Sequence, residues 1–171
     1  MGRRAAHFHE ILPRLVLVIM RSMRIYLDLC ALKRPYDEPV QDRVVLEALA
    51  VASIVECFER GTLDLIPSSV LELENDKNPV EDRRRDVAEL PSRLPNVVYG
   101  GEGVLRRGKE IQAYGFRPLD ALHLASAEAG GCKYFVTCDD RLATSASRSP
   151  AALKLQVVDP LTLVNRIKEN R

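Results

Sequence analysis

Short runs of apolar residues recur along this chain, and helical periodicity follows each of them. The runs fall at 24–29, 62–67, 96–99, 134–137 and 155–158. A strand that is apolar at nearly every position, not at every second one, is buried on both faces. That pattern belongs to a parallel sheet covered by helices. Helical spacing is read over 40–60, 69–75, 80–93, 102–114, 118–129, 140–147 and 160–170. Val44, Val45, Leu49, Ala52 and Val55 share roughly one face of the first helix, which Gly61 stops. The expected architecture is α/β, a three-layer sandwich around a parallel sheet of about five strands ordered 3-2-1-4-5.

A chain of 171 residues, 46% hydrophobic and 29% charged, is long enough and apolar enough to bury one core, which excludes a disordered chain. The net charge of +1 gives no bulk signal for a polyanion, so any such partner is met by a local patch. Cys30, Cys57, Cys132 and Cys138 form no CxxC pair and fit neither a zinc site nor a disulfide framework, so reduced thiols and a cytoplasmic setting are expected. Leu15-Val16-Leu17-Val18-Ile19-Met20 is far shorter than the roughly 20 residues a membrane span needs, and no small-residue cleavage pattern follows it. Residues 1–22, with His7 and His9, read as a poorly ordered extension, and residues 23–171 as a single domain with no membrane association.

Four acidic residues stand at the ends or starts of these elements. Asp28 ends Ile25-Tyr26-Leu27, and Asp139 ends Tyr134-Phe135-Val136-Thr137-Cys138. In the order 3-2-1-4-5 their two strands are neighbours at the point where strand order reverses, where this architecture binds ligands. Glu74 lies in the helix over 69–75, and Asp120 follows Pro118 at the start of a small, apolar helix. Carboxylates that converge repel one another unless a cation neutralises them, so the set points to a divalent-metal site.

Each acid also has a plain structural reading. Asp28 fits a strand-end turn, Asp120 a helix N-terminus and Asp139 a helix cap. Ser69-Val70-Leu71-Glu72 fits a capping box, which gives Glu72 a local role, and Glu74 lies about 200° further round the helix. Glu74 is therefore the expected site residue, with Glu72 the alternative. His123 reads as a hydrogen-bonding core histidine, Asp140-Arg141 as a solvated charge pair, and Thr137 as a hydroxyl able to orient water or phosphate. A haloacid-dehalogenase phosphatase would need an acid at position 30, which is Cys30.

Four segments together resemble the PIN-domain family. They are Tyr26-Leu27-Asp28-Leu29-Cys30 with Arg34-Pro35-Tyr36-Asp37, Leu71-Glu72-Leu73-Glu74-Asn75, Asp120-Ala121-Leu122-His123-Leu124-Ala125 and Phe135-Val136-Thr137-Cys138-Asp139-Asp140. The resemblance implies a metal-dependent endoribonuclease of the VapC-toxin kind, hydrolysing phosphodiester bonds of single-stranded or structured RNA. By position it makes Asp28, Glu74, Asp120 and Asp139 the metal ligands, for one or two Mg²⁺ or Mn²⁺ ions, with Thr137 beside them. Arg34 and Arg117 are the expected contacts to the RNA backbone. A cognate antitoxin and a homodimer are the expected partners. The competing expectation is a non-catalytic PIN-like module that binds RNA or protein.

Overall fold

The computed structural model describes residues 23–169, and the expected extension over 1–22 lies outside the described residues. Strand β1 (Met23–Leu27) runs up the middle of the sheet, with Ile25, Tyr26 and Leu27 all buried. It pairs in parallel with β2 (Leu63–Leu65) on one side and β3 (Tyr134–Val136) on the other. Strand β4 (Gln156–Val158) joins β3, which gives the order β2-β1-β3-β4. The continuously apolar runs are thus buried on both faces, as their composition requires.

Among the described residues the sheet has four strands, where about five are expected. The segment at 96–99 contributes a single bridge, Val98 opposite Ser68, beside the continuation of β2. Among the described residues two backbone–backbone hydrogen bonds hold it, Val98 N to the Pro67 carbonyl (2.9 Å) and Ser69 N to the Val98 carbonyl (3.0 Å), and Gly100 N adds one to Ser69 Oγ at 3.0 Å. Asn96 at its start takes φ 66°, outside extended backbone, and Gly100-Gly101 follow, so pairing stops on either side. The order of the chain segments is nonetheless the expected one.

Beyond β1 the chain turns at once into a helix that the apolar run concealed, α1 (Leu29–Lys33), followed by a 3-10 turn over Arg34–Tyr36. Helix α2 (Asp42–Glu59) ends at Gly61, whose φ of 70° gives the left-handed turn that favours glycine. Helix α3 (Ser69–Asn75) is capped by Ser68, whose Oγ accepts from Leu71 N at 3.3 Å. This corrects the capping box: Ser69 is the first helical residue and Glu72 falls outside the box, exposed to solvent. Helices α4 (Glu81–Ser92), α5 (Glu102–Gln112), α6 (Pro118–Ala129), α7 (Asp140–Arg148) and α8 (Pro160–Glu169) complete the described fold. Helix α2 packs on α8 and α5 on α6, and the helices flank the sheet. No helix among the described residues is long and apolar enough to cross a membrane.

Gly130, which ends α6, approaches the sheet edge closely. A Cβ there would sit 2.6 Å from Ile66 Cγ2 and 3.3 Å from Val98 Cγ2. Ile66 is β-branched and buried, so it has little room to yield. Gly130→Ala is expected to lower the unfolding free energy by about 1–3 kcal/mol, read from urea denaturation. An unchanged midpoint would show that α6 can lift away from the edge.

Candidate metal centre

The carboxyl ends of β1 and β3 lie side by side, with Asp28 N donating to the Val136 carbonyl at 2.9 Å. Asp28 is the first residue beyond β1 and N-caps α1. Its Oδ1 accepts from Leu29 N at 2.8 Å, and its Oδ2 accepts from Thr137 Oγ1 at 2.8 Å and Cys30 Sγ at 3.1 Å. Burial pushes the Asp28 carboxyl pKa above its ordinary value, against the opposing pull of His123, Cys30 and Thr137. The buried Thr137 also accepts from Asp139 N at 3.1 Å, and so ties the two strand-end acids to one hydroxyl.

Glu74 comes in from α3 and His123 from α6. His123 Nε2 lies 2.9 Å from Glu74 Oε2, and Nδ1 lies 2.8 Å from the Tyr26 hydroxyl. Tyr26 Oη is in turn 2.6 Å from Ser68 Oγ. One set of donors satisfies the whole chain: Leu71 N–H to Ser68, Ser68 O–H to Tyr26, Tyr26 O–H to His123 Nδ1, and His123 Nε2–H to Glu74. Tyr26 is fixed from its other side by stacking on Phe135, with ring centroids 5.3 Å apart. Burial would raise the Glu74 carboxyl, but the hydrogen bond from His123 and the positive charge around it, Lys33 and Lys77 included, outweigh that and hold the pKa below the usual value.

Asp28, Glu74 and His123 each offer a ligand atom, and the three atoms lie within 4.8 Å of one another. The two acids suit Mg²⁺ or Mn²⁺, and His123 joins them as a nitrogen ligand for Mn²⁺ in its other tautomer, with the ring proton on Nδ1 toward Tyr26. A buried carboxylate with a raised pKa beside a second acid is the condition that a cation relieves. The residues present fit the metal on this side of the site.

Asp120 and Asp139 are brought together differently. Arg141 Nη2 stands between them, 2.7 Å from Asp120 Oδ2 and 3.0 Å from Asp139 Oδ2. Asp139 also caps α7, its Oδ1 accepting from Arg141 N (2.8 Å) and Leu142 N (3.1 Å). The expected solvated pair of Asp140 with Arg141 is therefore corrected: Asp140 pairs with Arg43 of α2 at 2.6 Å, and Arg141 turns inward. Of the expected RNA contacts, Arg34 is engaged within the fold, 2.8 Å from the buried Glu47 and 3.0 Å from Asp37. Arg117 is exposed at the N-cap of α6, three residues before Asp120.

The sequence expects a core histidine at His123. It is one, at 2% exposure, yet it also faces the acids. Its place one turn beyond Asp120 on a small-residue helix is the signal that could have found it. Nothing in the sequence points to Arg141.

A family model described as PIN domain matches residues 25–146. No curated protein matches the sequence. Among solved structures, a chain in the crystal structure of VapBC2 from Rickettsia felis bound to a DNA fragment from their promoter superposes with a TM-score of 0.54 and 13% identity, covering 79% of this chain and 98% of that one. The PAE2754 protein of Pyrobaculum aerophilum gives a TM-score of 0.48 and 19% identity over 86% of this chain and 98% of that one. At 13% identity the VapBC2 likeness is one of fold.

Proposed function

The chain belongs to the PIN-domain family, and from that premise we propose that it is a divalent-metal-dependent endoribonuclease acting on single-stranded or structured RNA. The observation that carries the proposal is the meeting of Asp28, Glu74 and His123 within 4.8 Å. They gather beyond the carboxyl end of β1, where sheets of this kind bind ligands. The proposed cation is Mg²⁺ or Mn²⁺, as one ion or two, with Asp28 and Glu74 as its first ligands and Asp120 and Asp139 beside them. A divalent ion held there would acidify an attacking water and offset charge building on a phosphodiester.

The chain's own groups do the positioning. Leu29 N–H and the Thr137 hydroxyl hold the two oxygens of Asp28, and His123 holds one oxygen of Glu74. Arg117 draws an RNA backbone toward the site by charge, with Arg34, held by Glu47 and Asp37, as a second cation nearby in the chain's own fold. The reading extends to a cytoplasmic toxin with a cognate antitoxin, acting as a homodimer from one unit over 23–171. The fold likeness to a chain of VapBC2 supports the antitoxin. Apolar surface on α2, with Leu46 at 49% and Leu49 at 61% exposure, supports a partner chain.

Purified protein should gain thermal stability on addition of Mn²⁺ and cleave a fluorescent single-stranded RNA, with both effects removed by EDTA. At a hundredfold excess over Kd the gain is about 2.7 kcal/mol, a rise of roughly 5–10 °C for a chain of this size. One observation favours the non-catalytic module instead: Arg141 already neutralises two of the four acids. No thermal response to Mn²⁺ and no cleavage would decide for that module.

A further inference from the structure

The acids do not form one cluster. Asp28 and Glu74 face His123, whereas Asp120 and Asp139 close on a single guanidinium nitrogen of Arg141. Two carboxylates that face one point repel each other, and a cation between them relieves that repulsion. Here the chain supplies that cation itself. Arg141 is held where it can do so: its backbone N–H is bound to Asp139 Oδ1 at 2.8 Å, in the first turn of α7. Its side chain is 35% exposed, so the guanidinium has a path into solvent without any shift of the helix.

We propose that Arg141 sets how many divalent ions the centre takes. While its guanidinium sits between Asp120 and Asp139, the centre binds one ion, on the Asp28–Glu74 side. With that charge removed, Asp120 and Asp139 are left as two facing carboxylates and take a second ion. Retaining a positive charge at position 141 keeps the count at one. This inference rests on the metal reading above, but it concerns the number of ions and not their existence.

The test is Mn²⁺ binding by the full chain, with RNA absent. Calorimetric titration gives the stoichiometry, and loss of the free Mn²⁺ electron-paramagnetic-resonance signal counts bound ions independently. Wild type should bind one Mn²⁺ per chain, and Arg141→Lys should do the same. Arg141→Gln and Arg141→Met should each bind two, with the first ion's Kd changed by less than about threefold. Asp120→Asn placed on Arg141→Gln should return the count to one. Melting curves in EDTA report whether each variant is folded, and the two neutral replacements guard against one of them failing.

Two ions in wild type, or one ion in wild type and in both neutral variants, would overturn the role given to Arg141 and leave the metal site standing. A second ion that survives Asp120→Asn would also overturn it, because that ion would lie elsewhere. No binding by any variant would overturn both the metal reading and this inference.

Discussion

Asp28→Asn is expected to abolish Mn²⁺-dependent cleavage of RNA while leaving the metal-free protein folded. Losing a metal ligand forfeits several kcal/mol of stabilisation of the charge that develops on phosphate, about three orders of magnitude in rate at 1.36 kcal/mol per decade. Asn keeps the acceptor for Leu29 N–H, so the cap on α1 survives, and the Thr137 hydroxyl can rotate to accept from the new amide. The pH dependence has a definite sign. Burial raises the Asp28 pKa in the folded state, so the folded protein holds that proton to higher pH than the unfolded chain, where the group titrates at about 3.9. Between the two values the folded state binds more protons, and the stability of the metal-free protein falls as pH rises through that window. Asn has no proton to lose. In EDTA the variant should therefore match wild type near pH 4 and melt at an equal or higher temperature at pH 7. A variant that keeps full activity, or one whose metal-free form melts well below wild type at pH 7, would make Asp28 a structural residue.

Glu47→Ala is expected to be strongly destabilising although it lies away from the centre. Glu47 is 2% exposed and stands between two arginines, with Arg34 Nε and Arg43 Nε each 2.8 Å from its carboxylate. The Arg34 approach is an ion pair without aligned hydrogen-bond geometry, so charge more than direction binds it. Removing one partner of a buried pair leaves the other charge uncompensated, at about 3–5 kcal/mol. Arg43 is half exposed and keeps Asp140, and Arg34 keeps Asp37, so the lower end applies. About 3 kcal/mol corresponds to a fall of roughly 6–12 °C in Tm. A fall of under 2 °C would mean that water already screens the pair.

How much of this was legible beforehand varied with the range of the interaction. Helix α6 has the bounds expected of it, 118–129, because both signals are local: Pro118 opens it and Gly130-Gly131 close it. The parallel sheet and its order followed from runs of apolar residues, which record burial on two faces directly. The strand at 96–99 has the same composition but is reduced to a bridge, because pairing depends on what the opposite edge offers. The helix over 69–75 matches the spacing, but its cap sits one residue earlier than the capping box implies. Two adjacent serines look alike in sequence, and the exit from β2 chooses Ser68. At the centre, the four acids stood at element ends as read, but their division into two groups did not. It depends on Arg141 reaching Asp120, 21 residues away, while Arg43 draws off Asp140 from 97 residues away. No periodicity encodes a choice between such distant partners.

The hydrogen-bonded series through Tyr26 has a mechanical consequence. It leaves α3 at Ser68 and returns to the same helix at Glu74, by way of the sheet and α6. Ser68 is also the residue that meets Val98 at the sheet's outer border. Prising the 96–99 segment away would free Ser68, loosen the phenol, release the imidazole and let the Glu74 carboxylate wander. The single bridge at the sheet's border is thereby linked through hydrogen bonds to one acid of the candidate centre. A pull on that border would be felt at the Glu74 carboxylate, through bonds and not through contact.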